Sequence, residues 1–302
     1  VVITAGTAPQ AQLDNPGQWS GLGTSVEFIQ RLEEVNRVRV VVMGEWRFGS
    51  PGAPTSESSP YHRWLYSVYS DGRVYVECRG TARSATFEPP GLGLVFACDG
   101  NLGFTRHVVS SGPFVLFSRP EPDQGDLLVV PARPLMPQTL RSVQDPRLCV
   151  LWRTEAVGEQ FVFAGLIRIW PNDLDSPDKA ARYAADYSRP LPIALDAGQL
   201  VRTDDGDYDN DGFSEARGYY VLQLDGNVAK VRIDGQRLPR FSPIFRVVDV
   251  TQRDVWVYLN GRQIKDTCRT PQGDVLFMVP GMIAGEVLLE VNAGPRQGSE
   301  TR

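Results

Sequence analysis

The chain has 302 residues, 42% hydrophobic and 22% charged, an ordinary balance for a folded globular protein that argues against disorder, collagen and coiled coil. Its apolar runs break far short of the roughly 18 to 20 residues that a helical membrane span requires. A formal net charge of −5 leaves phosphate repulsion uncompensated on average, so no nucleic-acid partner is expected. The acidity is local: over residues 173–211 ten Asp stand against only Lys179, Arg182, Arg189 and Arg202, which makes this stretch −6 and the remaining chain +1.

Residues 1–36 read as an N-terminal arm or irregular edge. The first 24 are rich in Gly, Gln, Thr and Pro, and the spacing of Phe28, Leu32 and Val35 leaves 25–36 open between helix and strand. Residues 37–189 read as a large antiparallel β-sandwich, with strands expected at 37–48, 64–69, 73–78, 93–97, 104–109, 114–117, 127–130, 149–153 and 160–170. The last is nearly all apolar and is expected to be buried on both faces. A short helix follows, with Ser176 as N-cap, Pro177 at N1 and residues 180–187 continuing it. Arg189-Pro190-Leu191-Pro192 stops it and marks the expected domain boundary. Residues 190–302 fit a smaller immunoglobulin-like sandwich, with strands near 218–224, 228–233, 244–250, 255–259, 275–279 and 286–291. Asp71-Gly72, Asp99-Gly100, Asp225-Gly226, Asp234-Gly235 and Asn260-Gly261 supply the positive φ angles of tight hairpins, so the expected class is all-β with one short helix between two sandwiches.

The chain opens Val1-Val2-Ile3-Thr4 with neither a basic n-region nor an apolar h-region, so either a signal peptide has been removed or the sequence has been trimmed. Its four cysteines, Cys78, Cys98, Cys149 and Cys268, show no CxxC spacing that would suggest zinc. Cys78 and Cys98 fall in neighbouring expected strands and are either a disulfide or buried thiols.

One stretch has a sharp chemical reading. Asp207-Tyr208-Asp209-Asn210-Asp211-Gly212-Phe213-Ser214-Glu215 places carboxylates at loop positions 1, 3, 5 and 9 and glycine at position 6. That spacing turns alternate hard oxygen ligands toward one centre while the glycine permits a sharp bend, which suits Ca²⁺. The loop resembles the calcium loops of EF-hands and dockerins. Position 12 is Gly218, and Tyr219-Tyr220-Val221-Leu222 reads as strand, so a loop leading into a strand is expected instead of an EF-hand. Asp207, Asp209, Asp211, Glu215 and the Phe213 carbonyl are the expected ligands. Asp205, with Asp204, is an additional ligand or part of a second site. The expected role is structural, a cation clamping a loop of the second sandwich.

Catalytic signals are weaker. His62 and His107 are the only histidines, and neither sits in HExxH; GxSxG, P-loop and GxGxxG motifs are absent. Tyr61-His62-Arg63 is the most reactive-looking cluster, since a Tyr or His can take a proton while Arg neutralises a carboxylate, as a uronic-acid lyase requires. The plainer reading makes it a strand start with Trp64 in the core. Trp19, Trp46 and the Tyr219-Tyr220 pair are candidates for stacking on sugar rings, because one of two adjacent strand residues faces outward unless both faces are covered.

The run 32–46, with Tyr75-Val76-Glu77 after an Asp-Gly turn and Gly91-Leu92-Gly93-Leu94, resembles β-sandwich segments of secreted bacterial polysaccharide-acting proteins, particularly lyase-like super-sandwich domains. The resemblance implies a secreted, calcium-stabilised β protein that binds or associates with extracellular polysaccharide. A polysaccharide lyase-like enzyme, and a self-associating structural subunit of an extracellular assembly, are the alternatives.

Overall fold

The computed structural model describes residues 2–7, 26–49, 54–57, 59, 61–81, 92–97, 105–107, 114–118, 127–132, 140–145, 147–152, 160–169, 177–188, 190 and 193–294. The chain divides into two units, and the division is discontinuous in sequence. The first comprises Val1–Glu33, Val41–Val68 and Gly72–Ala181; the second comprises Glu34–Val40, Tyr69–Asp71 and Arg182–Arg302.

The strands of the N-terminal half are β1 (Val2–Thr7), β2 (Val26–Val35), β3 (Arg39–Phe48), β4 (Tyr61–Tyr69), β5 (Arg73–Thr81), β6 (Leu92–Ala97), β7 (Thr105–His107), β8 (Val115–Ser118), β9 (Leu127–Pro131), β10 (Leu140–Asp145), β11 (Arg147–Trp152) and β12 (Gln160–Ile169). They form a four-stranded sheet in the order β1-β6-β11-β10 and an eight-stranded sheet in the order β2-β3-β4-β5-β12-β9-β8-β7. Strand β2 occupies the stretch left open between helix and strand, and β1 pairs with β6 where an irregular arm was expected.

Local chemistry accounts for the hairpins. Between β2 and β3 the Asn36 side chain accepts hydrogen bonds from the N–H groups of Val38 and Arg39, closing the turn. Gly72 takes φ 86° at the β4–β5 turn, as an Asp-Gly hairpin requires. Strand β12 lies between β5 and β9; its Ala164, Leu166 and Ile167 are buried, as is all of β9. The near-continuous apolar pattern of β12 is that of an inner strand covered on both sides.

Helix α1 (Pro177–Ser188) begins at the expected proline. It buries Ala180, Tyr183, Ala184 and Tyr187, the i, i+3, i+4, i+7 stripe of an amphipathic helix. No described helix is long and apolar enough to cross a membrane.

The C-terminal strands are β13 (Ala194–Ala197), β14 (Gln199–Leu200), β15 (Phe213–Ser214), β16 (Tyr219–Gln223), β17 (Val228–Asp234), β18 (Arg240–Phe241), β19 (Ile244–Val248), β20 (Val255–Leu259), β21 (Arg262–Ile264), β22 (Thr267–Arg269), β23 (Val275–Met278), β24 (Met282–Ile283) and β25 (Glu286–Ala293). One sheet runs β13-β17-β25-β20-β21; the other runs β14-β16-β19-β23-β22, with β15 beside β16. Strands β18 and β24 form a small ribbon. The all-β class with a single helix among the described residues is as expected. Strands β16 and β19 depart from the antiparallel pattern and run parallel. A parallel pair needs a crossover, and here the connection between them contains β17, which belongs to the other sheet.

Candidate metal centre

The acidic loop connects β14 to β15 in the second unit. Two residues take the left-handed backbone conformation: Asn210 at φ 59° and Gly212 at φ 93°. The carboxylate of Asp207 accepts hydrogen bonds from the N–H groups of Asp211 (3.2 Å) and Gly212 (2.8 Å). Glu215 Oε2 accepts from the Tyr208 N–H at 3.0 Å, and Asp211 Oδ1 from the Phe213 N–H at 2.7 Å. The chain thereby curls around its own acidic side chains. Asp207, Asp209 and Glu215 each present an oxygen within 4.8 Å of the others.

The electrostatics of this cluster are unfavourable without a counter-charge. Asp207 and Glu215 are buried, at 7% and 2% exposure. Burial, reinforced by Asp209 and Asp211, pushes the Glu215 carboxyl up to about 8. Burial also raises Asp207, and raises Asp211 to about 6. Carboxylates desolvated next to one another resist ionisation. A divalent cation would reverse that balance, and hard, closely spaced oxygens are the donor set that Ca²⁺ takes.

The loop is anchored from several sides. Gly212 lies against Leu200, whose Cβ would stand 3.0 Å from a side-chain carbon added at this glycine. Phe213 begins a row of rings directly opposite one another across four strands, Phe213, Tyr220, Phe245 and Phe277, with successive centroids 5.0, 5.4 and 5.6 Å apart. The next turn is held by two tyrosine hydroxyls: Tyr187 of α1 donates to the Glu215 carbonyl at 3.0 Å, and Tyr69 donates to the Arg217 carbonyl at 2.7 Å. Arg246 donates to the Tyr219 hydroxyl and pairs with Asp274 and Asp204. These anchors come from residues 69 and 187 as well as the loop's own neighbourhood, and no local sequence signal announces them.

Asp204 accepts from the Gly206 N–H and lies with Arg246, while Asp205 is exposed; neither belongs to the three-carboxylate group. Phe213 brings its ring into the core, 6% exposed. A family-model comparison and a comparison with curated proteins both find no match.

Tyr219 and Tyr220 are 2% and 4% exposed, which corrects the expectation of an outward ring. Strand β16 is covered on both faces: Tyr220 sits in the aromatic row, and the guanidinium groups of Arg39 and Arg246 lie over the Tyr219 ring at 5.3 and 5.8 Å. Arg39, in turn, forms a two-pronged ion pair with Glu34.

Of the Tyr61-His62-Arg63 cluster, Arg63 donates to Glu45 at 2.6 Å, with Arg47 on the other carboxylate oxygen at 2.5 Å. The Arg63 guanidinium also lies 5.5 Å from the Tyr61 ring centre. Alternation places His62 on the opposite face of β4 from Arg63. Trp64 is a core residue, 1% exposed. Trp46 is half-buried and its ring lies 4.7 Å from that of Phe28. Gly44 lies beside these rings, and a Cβ there would stand in ordinary contact with them, 3.4 Å from Phe28. Cys78 and Cys268 are free thiols, both raised above the ordinary value by burial, Cys268 to about 11. Trp19 and Cys98 lie outside the described residues.

Proposed function

We propose that the chain is a calcium-binding β protein of an extracellular setting, in which the loop 204–215 holds the ion and the ion rigidifies the second unit. The observation that carries this reading is the convergence of Asp207, Asp209 and Glu215 within 4.8 Å in a loop with the DxDxDGxxE spacing. With Gly218 at position 12 the ligand set is smaller than that of a high-affinity intracellular site. Weak affinity, on the order of 10⁻⁴ to 10⁻³ M, is sufficient outside cells, where such modules operate. Isothermal titration of EDTA-stripped protein with Ca²⁺ tests it directly. Binding is expected in the parent and absent in Asp209→Ala, whose side chain is exposed. Absence of binding in the parent refutes the reading.

The finer reading is association with extracellular polysaccharide. Its support is the Phe28–Trp46 pair, with Phe28 52% exposed, since sugar rings stack on accessible aromatic faces. Affinity electrophoresis through acidic polysaccharides, with Phe28→Ala and Trp46→Ala as comparisons, tests it. Release of products absorbing near ~235 nm would instead favour the lyase-like alternative, whose Arg63 is already committed to Glu45.

A further inference from the structure

Strand β2 ends the eight-stranded sheet, with β3 as its one neighbour in the strand order of the described residues. Its outer N–H and C=O groups therefore form a pairing edge, which soluble proteins ordinarily guard with like charges, proline or a covering element. On β2 the guard is incomplete. Leu32 and Val35 are 63% and 64% exposed and Phe28 is 52% exposed, and the exposed charges Glu27, Arg31 and Glu33 are of both signs.

We propose that β2 pairs antiparallel with β2 of a second copy of this chain, centred on Leu32. In that register Leu32 meets the partner's Leu32 on the two-fold axis. Arg31 lies opposite the partner's Glu33, and Ile29 opposite the partner's Val35. The symmetry repeats each contact, so two ion pairs and two apolar pairs flank the central leucines. The two most exposed hydrophobic side chains of the described residues are covered together.

Neighbouring registers fit worse. Centring on Gln30 sets Glu27 against the partner's Glu33, and centring on Arg31 brings two guanidinium groups face to face. Centring on Ile29 pairs Glu27 with the partner's Arg31, but Glu27 already accepts a hydrogen bond from Thr55 at 2.6 Å, and Val35 falls beyond the paired length. A one-residue slip would turn the partner's sheet over, joining unlike faces. The choice of a second copy over a foreign strand rests on this self-complementarity, which an unrelated peptide has no reason to share.

Sedimentation velocity of the full chain, at concentrations up to roughly 0.5 mM to allow for a weak contact, should show a monomer–dimer equilibrium. Arg31→Glu should weaken it about ten-fold or more by setting like charges opposite twice, and Arg31→Glu combined with Glu33→Arg should restore it to within about three-fold. Leu32→Cys should form a covalent dimer under mild oxidation, and Ile29→Cys should not. These side chains lie at the edge, and unchanged melting confirms that each variant is folded. A monomer at every concentration, a dimer indifferent to Arg31→Glu, or cross-linking through Ile29→Cys in place of Leu32→Cys overturns the proposal. None of these outcomes bears on calcium binding.

Discussion

Without a cation the protein should become less stable as the solution becomes more alkaline. Glu215 has an ordinary value of 4.5 and stands at about 8 in the folded chain, chiefly through burial. A carboxyl raised on folding stabilises fully below its unfolded value and loses that contribution as pH rises through the folded one. Each pH unit across this window is worth about 1.4 kcal/mol, so between about pH 5.5 and pH 8.5 the ion-free protein should lose about 3 kcal/mol. Asp211, at about 6, acts in the same direction in the lower part of the window. For a unit of this size that is a fall in Tm of roughly 10 °C. Differential scanning calorimetry in EDTA at the two pH values reads it. On the calcium-binding proposal, saturating Ca²⁺ should abolish most of the difference, because a bound ion would neutralise the ionised carboxylates, and Glu215→Gln should flatten the profile without calcium. Superimposable melting curves at both pH values in EDTA, or an undiminished slope in Glu215→Gln, would refute the electrostatic account of the loop.

Gly212→Ala should lower stability by about 2 kcal/mol, from a left-handed φ combined with close contact to Leu200, and should weaken calcium binding in parallel; an unchanged urea midpoint contradicts this. Tyr187→Phe and Tyr69→Phe should each cost about 1 kcal/mol by freeing one carbonyl of the turn after the loop, with effects close to additive in the double variant. Burial works to raise Glu45, but hydrogen bonds from Arg47 and Arg63 outweigh it and hold the carboxyl below its ordinary value. Its stabilising contribution is therefore present above that value and lost on acidification, a loss that acid titration should find blunted in Glu45→Gln. A fragment of residues 190–302 lacks Glu34–Val40, Tyr69–Asp71 and the helical residues that belong to the second unit; it should melt without a sharp transition, whereas the full chain should not.

Strand positions were legible wherever glycine turns punctuated β-branched runs, as in β16, β17 and β20, and the grouping of Asp207, Asp209 and Glu215 was legible because their spacing is local. Residues 25–36 resisted reading for a physical reason. Phe28, Leu32 and Val35 follow a helix-like spacing, yet they are the exposed apolar residues of an edge strand, so burial imposed no period of two on them. The tyrosine pair misled because the cover over Tyr219 comes from Arg39 and Arg246, far away in sequence. The partner of Arg63 in the Tyr61-His62-Arg63 cluster was hidden for the same reason, since it is Glu45, eighteen residues away.

The discontinuous second unit has a consequence for synthesis. The Tyr69 hydroxyl bonds a carbonyl 148 residues further along. At about 5–20 residues per second, roughly 7–30 s separate the making of that tyrosine from the making of its acceptor. Glu34–Val40 and Tyr69–Asp71 leave the ribosome before the remainder of their unit and must wait for it. Cellular yield should therefore depend on the tempo of translation through residues 182–302 more than through the residues before them.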